Sequence, residues 1–265
     1  MATKTWAGGA TGDWNVSGNW SPAGVPATGD DVVINTGGAT VTLDVDIGSG
    51  QTNTALGSLT ITNGTLNTND GSDRELTVTG QTSVDGTLTC NGSTISLGSG
   101  YMGGYALIGG GTMNFGTGTV TIGAVNTTSA SGITKTSGTI TFDTAKTGGQ
   151  AWGPSVTSAN THFNFGTSTV NLGPLTGGSN FSIEQHGSSG KTLEVTATDV
   201  QLKQNGYIYQ NAAGASANNK VKINGEFNIN SGKTFTTYYD DANDYGSLLE
   251  VNGDCVLNGT LNAYS

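Results

Sequence analysis

The feature that most constrains what this chain can fold into is a short apolar–polar–apolar triplet, closed by a glycine or asparagine corner and then begun again. Leu59-Thr60-Ile61 precedes Gly64-Thr65-Leu66, and Leu76-Thr77-Val78 precedes Gly80 and Val84. Ile95-Ser96-Leu97, Ile140-Thr141-Phe142 and Phe181-Ser182-Ile183 carry the pattern farther on. Alternation with a period of two puts apolar side chains on one side of a strand. Gly and Asn supply the backbone freedom that a tight corner needs. Helical periodicity is nearly absent.

The triplets also keep time. Met113-Asn-Phe-Gly-Thr-Gly-Thr-Val-Thr-Ile-Gly123 aligns without a gap with Phe163-Asn-Phe-Gly-Thr-Ser-Thr-Val-Asn-Leu-Gly173, fifty positions later. Leu193-Glu-Val195, Val221-Lys-Ile223 and Leu249-Glu-Val251 begin 28 positions apart, and each is followed by a second strand at Val200, Phe227 or Val256. Recurrence at roughly 20–50 residues marks a solenoid, a propeller or an array. A propeller blade needs four antiparallel strands, more than 28 residues supply, whereas a coil of two or three short strands fits. The fold expected is all-β, a parallel β-helix or β-solenoid that buries Val, Ile, Leu and Phe in one continuous core and turns Thr, Asn and Ser outward. A β-sandwich or jelly roll is the competitor, since short strands with regular turns describe it too.

Composition agrees. Of 265 residues 44 are Gly and 4 are Pro, 11% are charged and 34% hydrophobic, which is not the charged, proline-rich balance of a disordered chain. The net charge of -10 and a single arginine, Arg74, leave no basic cluster to displace counterions from nucleic acid. The residues after Met1 contain no apolar run of signal-peptide type, and no stretch reaches transmembrane length; neither a membrane nor nucleic acid is an expected partner. Cys90 and Cys255 are expected to be two buried free thiols.

An open solenoid end exposes strand edges and core. Trp6, Trp14 and Trp20 hold three of the four tryptophans within fifteen residues and precede Val25-Pro26 and the strand Asp31-Val-Val-Ile34. Residues 1–35 are therefore read as a cap, with Trp6, Trp14, Trp20 and Pro26 as its structural residues, and 36–265 as the solenoid body.

Trp6-Ala-Gly-Gly-Ala-Thr-Gly-Asp-Trp14, Asn19-Trp20-Ser21, Val25-Pro26 and Gly29-Asp-Asp-Val-Val-Ile34 resemble the opening of many bacterial β-helical surface proteins and of phage virion proteins. Without a signal peptide or a wall anchor, the chain resembles the phage group more closely. That resemblance implies a structural virion protein on the capsid exterior, a decoration (cement) or head-fibre protein without enzymatic activity. Its partners would be further copies, in a homotrimer, and the major capsid protein. The alternatives are a carbohydrate-binding adhesin or tail receptor-binding module on a tail or cell surface, and a polysaccharide-depolymerising β-helix enzyme.

Sequence candidates for chemistry each have a plainer reading. Gly98-Ser-Gly-Tyr-Met-Gly103 matches G-x-G-x-x-G, but the run after it, Tyr105-Ala-Leu-Ile-Gly-Gly-Gly111, cannot sustain the helix a phosphate cradle requires. Asp241, Asn243 and Asp244 before Gly246 imitate part of a Ca²⁺ loop, yet the closing glutamate position is Asn252 and no helices flank it; a solvated loop beside Tyr238, Tyr239 and Tyr245 is the simpler reading. Asp44 and Asp46 on one strand face are a second such pair. No catalytic residue and no cofactor is expected: Asp143, Glu184, Glu194 and Asp199 could supply paired carboxylates, but nothing in the sequence fixes their separation, and His162 and His186 lack a nucleophile partner. Tyr101, Tyr105, Trp152, Tyr207 and Tyr209 could stack on sugar rings. Thr-x-Thr pairs (Thr60/Thr62, Thr77/Thr79, Thr87/Thr89, Thr119/Thr121, Thr139/Thr141, Thr167/Thr169) begin at uneven intervals, which argues against a regular ice-binding lattice.

Overall fold

A computed structural model describes residues 1–98, 106–127, 132–143, 150–152, 161–173, 181–186, 192–211, 219–237 and 247–263. The chain winds as a three-sided coil, and strands from successive turns stack in parallel along three faces. The first face is a twelve-stranded sheet whose parallel ladder runs from Thr3–Trp6 through Asp31–Ile34 and Ser58–Ile61 to Thr260–Ala263. The second face runs from Thr11–Asp13 through Thr40–Thr42, and the third from Glu75–Val78 through Thr94–Leu97. The last two merge into one sixteen-stranded sheet, because Thr192–Leu202 and Asn219–Ile229 each continue across the corner between them. Parallel stacking of neighbouring turns establishes the β-solenoid and removes the antiparallel sandwich.

The alternating triplets produce this architecture directly. Along Ser58–Ile61, Leu59 and Ile61 are buried while Ser58 and Thr60 are half-buried, and Glu75–Val78 repeats the pattern. The inward rows join one core from Trp6 to Phe235, where each fully buried Val, Leu, Ile or Phe contributes roughly 1.5–3 kcal/mol. The 28-residue interval is one coil: Leu193 lies beside Val221, and Val221 beside Leu249. The fifty-residue identity is two coils, since Val120 pairs with Ile140 and Ile140 with Val170. Coils vary in length, from Leu107 beside Val125 to Thr161 beside Leu193. Residues 124–160, where the sequence timing loosens, still contribute Val125–Thr127, Ile133–Thr134, Thr139–Phe142 and Gln150–Trp152 to the same faces.

The corner after the second face carries its own inward column. Trp14, Leu43, Thr68, Cys90, Phe115, Lys135 and Phe165 succeed one another, each backbone N–H donating to the carbonyl just before its neighbour on the next coil, at 2.8–2.9 Å. Phe115 and Phe165 are the repeated aromatics of the fifty-residue match. Each follows an asparagine, Asn114 or Asn164, whose Oδ1 accepts the amide of Gly116 or Gly166. Those glycines turn at φ 53° and 51°, where a Cβ would lie 1.9 Å from Asn91 O at Gly116. Lys135 occupies the same column one coil between them and is 3% exposed.

The first turn is closed. Trp20–Ser21 runs antiparallel along Thr3–Trp6, covering the outer edge of that strand. Trp6, Trp14 and Trp20 are buried, with Trp20 edge-on to both others at ring distances of 5.2 and 4.7 Å. Trp20 Nε1 donates to Trp14 O at 2.8 Å. Pro26 is also buried, and Asp30 accepts the amides of Ala2 and Ala27; burial pushes the Asp30 carboxyl up, but those hydrogen bonds and the nearby cations outweigh it and hold it low. Core rows running through Leu202 and Ile229, both 0% exposed, reach Leu257 at 53%.

The two thiols differ, correcting the expectation that both are buried: Cys90 lies in the corner column, whereas Cys255 is exposed on the last coil. Both are free. Burial pushes the Cys90 thiol up to about 12.

Candidate functional site

The registers sort the outward residues into columns. On the second face Thr11, Thr40, Thr65, Thr87 and Thr112 stand in one column, beside a second of Asp13, Thr42, Asn67, Thr89 and Asn114. On the third, Thr77, Ser96, Thr121, Thr141 and Asn171 align, the last two buried and joined by a hydrogen bond from Asn171 Nδ2 to Thr141 Oγ1 at 3.2 Å. The uneven sequence intervals therefore do not prevent a regular lattice. Turns of different length absorb the differences, and adjacent rungs keep the common strand separation of about 4.8 Å. The pairs named from sequence fall on different faces: Thr60 is on the first, Thr87 and Thr89 on the second, Thr139 and Thr141 on the third.

A cleft of about 350 Å³ opens where the third face begins, lined by Asp46, Asp73, Arg74, Glu75 and Thr94. Its carboxylates are engaged by backbone. Asp46 Oδ1 accepts the Glu75 amide at 3.0 Å, Glu75 Oε1 the Ser49 amide at 3.2 Å, and Asp73 Oδ1 the Gly92 amide at 3.2 Å. Arg74 pairs with Asp70, and its guanidinium holds the Asp70 carboxyl below the ordinary range. Asp44 Oδ1 accepts the Asn15 amide at 2.8 Å, tying down the first corner. Asp44 and Asp46 thus act as corner fasteners. Among the described residues, no group of three or more His, Cys, Asp or Glu is arranged to hold a metal ion.

The strands place the carboxylates singled out from sequence on different faces. Glu194 faces out on the second face, Asp199 lies past the corner on the third, and Glu184 is on the first-face strand Phe181–His186. Asp143 comes directly after Thr139–Phe142 on the third face. Lys222 Nζ donates to Glu194 at 2.9 Å and Asn224 adds a second bond, so the Glu194 carboxyl is held low. A general acid needs the opposite displacement. His162 Nε2 meets Thr196 Oγ1 at 3.0 Å. The registers instead assemble a column that sequence reasoning missed: Asp199 lies beside Glu226, which precedes Phe227 as Asp254 precedes the Cys255 paired with it. The signal was in the sequence, since these carboxylates keep the same coil interval as the strands.

Asp241, Asn243 and Asp244 lie outside the described residues, as do Tyr101, Tyr105, Tyr238, Tyr239, Tyr245 and most of the G-x-G-x-x-G segment. Trp152 and Tyr209 sit on first-face strands, and Tyr207 is half-buried beside Ser182 and Thr236. Comparison with protein-family models, with curated proteins and with solved structures returned no match to this chain.

Proposed function

We propose that this chain is a non-catalytic structural protein of a phage particle, a capsid decoration or head-fibre protein that acts by rigid shape and surface contact. The observation that carries the structural half is the use of its charged groups. In the cleft and at the corners, Asp44, Asp46, Asp73 and Glu75 hold backbone amides, while Glu194 and Glu250 are tied to Lys222 and Lys220 at 2.9 and 2.7 Å. A continuous core along a hydrogen-bonded coil suits a particle exterior, where resistance to unfolding matters more than motion. The virion half rests on the resemblance of residues 1–35 and is tied to partners of two kinds, the major capsid protein and further copies side by side in a trimer.

Mass spectrometry of purified particles from the phage whose genome encodes the chain tests the placement. Several copies per capsomer are expected; recovery of the chain from the host envelope instead, with none in particles, refutes it. Light scattering tests the trimer, with three chain masses expected. Release of reducing ends from host polysaccharide, abolished by Glu226→Gln, would overturn the non-catalytic reading in favour of the Asp199–Glu226–Asp254 column.

A further inference from the structure

Over its first five strands the second face repeats one outward pair. The pairs are Thr11/Asp13, Thr40/Thr42, Thr65/Asn67, Thr87/Thr89 and Thr112/Asn114, stacked in unshifted register. All ten positions and the corners on either side of them are described, and each position is exposed or half-buried. Beneath them Val41, Leu66, Leu88 and Met113 are fully buried, so the strands are held from below. Rungs stand about 4.8 Å apart and the two columns about 6.6–6.8 Å apart, a patch of about 19 Å along the coil. Asp13 is the one ionisable group among the ten, and no side chain is longer than asparagine. Farther along, the first column changes character, carrying His162, Glu194, Lys222 and Glu250 in succession. The third face is not equivalent, since Thr141 and Asn171 are buried and Glu75 stands beside Thr94.

We propose that this five-rung patch binds ice. A dissolved partner gains little here, because each hydroxyl contact to it replaces one to water and the net gain is small. The ten positions also lack the aromatic, arginine or other large anchors on which protein and ligand sites depend. Ice differs because the ligand is the solvent itself. Hydroxyls and amides at fixed repeats hold first-shell water at the same repeats, and that layer merges with the crystal. Threonine methyl groups fill the spaces between the ordered waters. Two columns in register repeat in two directions, as a crystal plane does, whereas a linear polymer is matched by one.

The patch is stiff and nearly uncharged, as such a template must be. β-Branching leaves each threonine χ1 few alternatives, so little side-chain freedom is lost when the water sets. Two asparagines are pinned as well: Asn67 Oδ1 accepts from Asn91 Nδ2 at 3.0 Å, and Asn114 Oδ1 accepts the Gly116 amide at 3.0 Å. An ionic group orients water around itself and works against a lattice; the single one here, Asp13, stands on the first rung, at the edge of the patch. Ten positions make a small template, so the expected activity is adhesion to ice and slowed recrystallisation. The inference goes beyond the virion placement and does not rest on it.

Slow directional freezing of a solution of the full chain tests the inference, with protein measured by absorbance in the ice and in the remaining liquid. The chain should enter the ice, while an unrelated globular protein at equal concentration is left in the liquid. Thr65→Lys and Thr87→Lys each put a long charged side chain in the middle of the patch and should abolish the enrichment. Thr60→Lys, the same change at a half-buried outward position of the first face, should leave it intact. Thr87→Val keeps the shape and loses only the hydroxyl, so it should lower the enrichment while the chain stays folded by circular dichroism, which separates the face from the fold. Exclusion of the unsubstituted chain from ice, enrichment that survives both lysine variants at positions 65 and 87, or an equal loss from Thr60→Lys would each overturn it.

Discussion

Lys135 offers the sharpest test of the core. Its side chain stands where the corner column otherwise carries Phe115 and Phe165, it is 3% exposed, and its ammonium donates to Gly118 O. Burial lowers its ionisation from 10.5 to about 8, with nearby Cys90 acting the other way. The folded state therefore disfavours the charged lysine, a displacement equivalent to roughly 3 kcal/mol at 1.36 kcal/mol per pH unit. Lys135→Met removes that penalty at similar volume. It also removes the bond to Gly118 O, an opposing loss of about 1 kcal/mol. The expected net gain at neutral pH is about 2 kcal/mol, or roughly 4–8 °C in the thermal midpoint of a chain this long. Because the folded value is the lower one, the penalty is complete below about pH 8, fades as pH rises toward 10.5, and vanishes above it. The gap between the two proteins should therefore close over that window. Calorimetry at matched scan rates, at neutral pH and near pH 10.5, measures it. A variant no more stable than the parent at neutral pH, or a gap that ignores pH, would refute the account of Lys135 as a buried, destabilising charge.

The same packing sets three further outcomes. Trp20→Ala should cost about 3–5 kcal/mol in denaturant unfolding, because it removes both edge-on ring contacts and the bond to Trp14 O; a loss under about 1 kcal/mol would mean the first turn is closed by something else. Gly109→Ala should destabilise by more than about 2 kcal/mol, since its φ of 121° is unfavourable for alanine and a Cβ there would lie 2.1 Å from Val84 O; an unchanged midpoint would contradict the corner geometry. A thiol reagent at mildly alkaline pH should modify Cys255 in the native chain and Cys90 only after unfolding, so mass spectrometry should count one adduct and then two. Rapid native modification of Cys90 would refute its burial.

The sequence by itself determined the period-two alternation, the corners and the coil interval. Leu193, Val221 and Leu249 can be matched along the chain alone, because a solenoid repeats the same local problem and each rung writes its solution into the chain. The tryptophan cluster near the start is legible for a related reason: large rings so close together have few places to go except over an end of the core. What the sequence could not supply was lateral register. The fifty-residue identity looks like one period and is two, since the intervening coil puts Lys135 where its neighbours put phenylalanine. The threonine columns looked irregular because spacing along the chain adds loop length to rung height, and stacking cancels the loops. Likewise Cys255 alternates like a buried residue, yet lies exposed. A side chain's direction is set within its strand, but its burial depends on whether another coil is laid upon it, which only the tertiary structure decides.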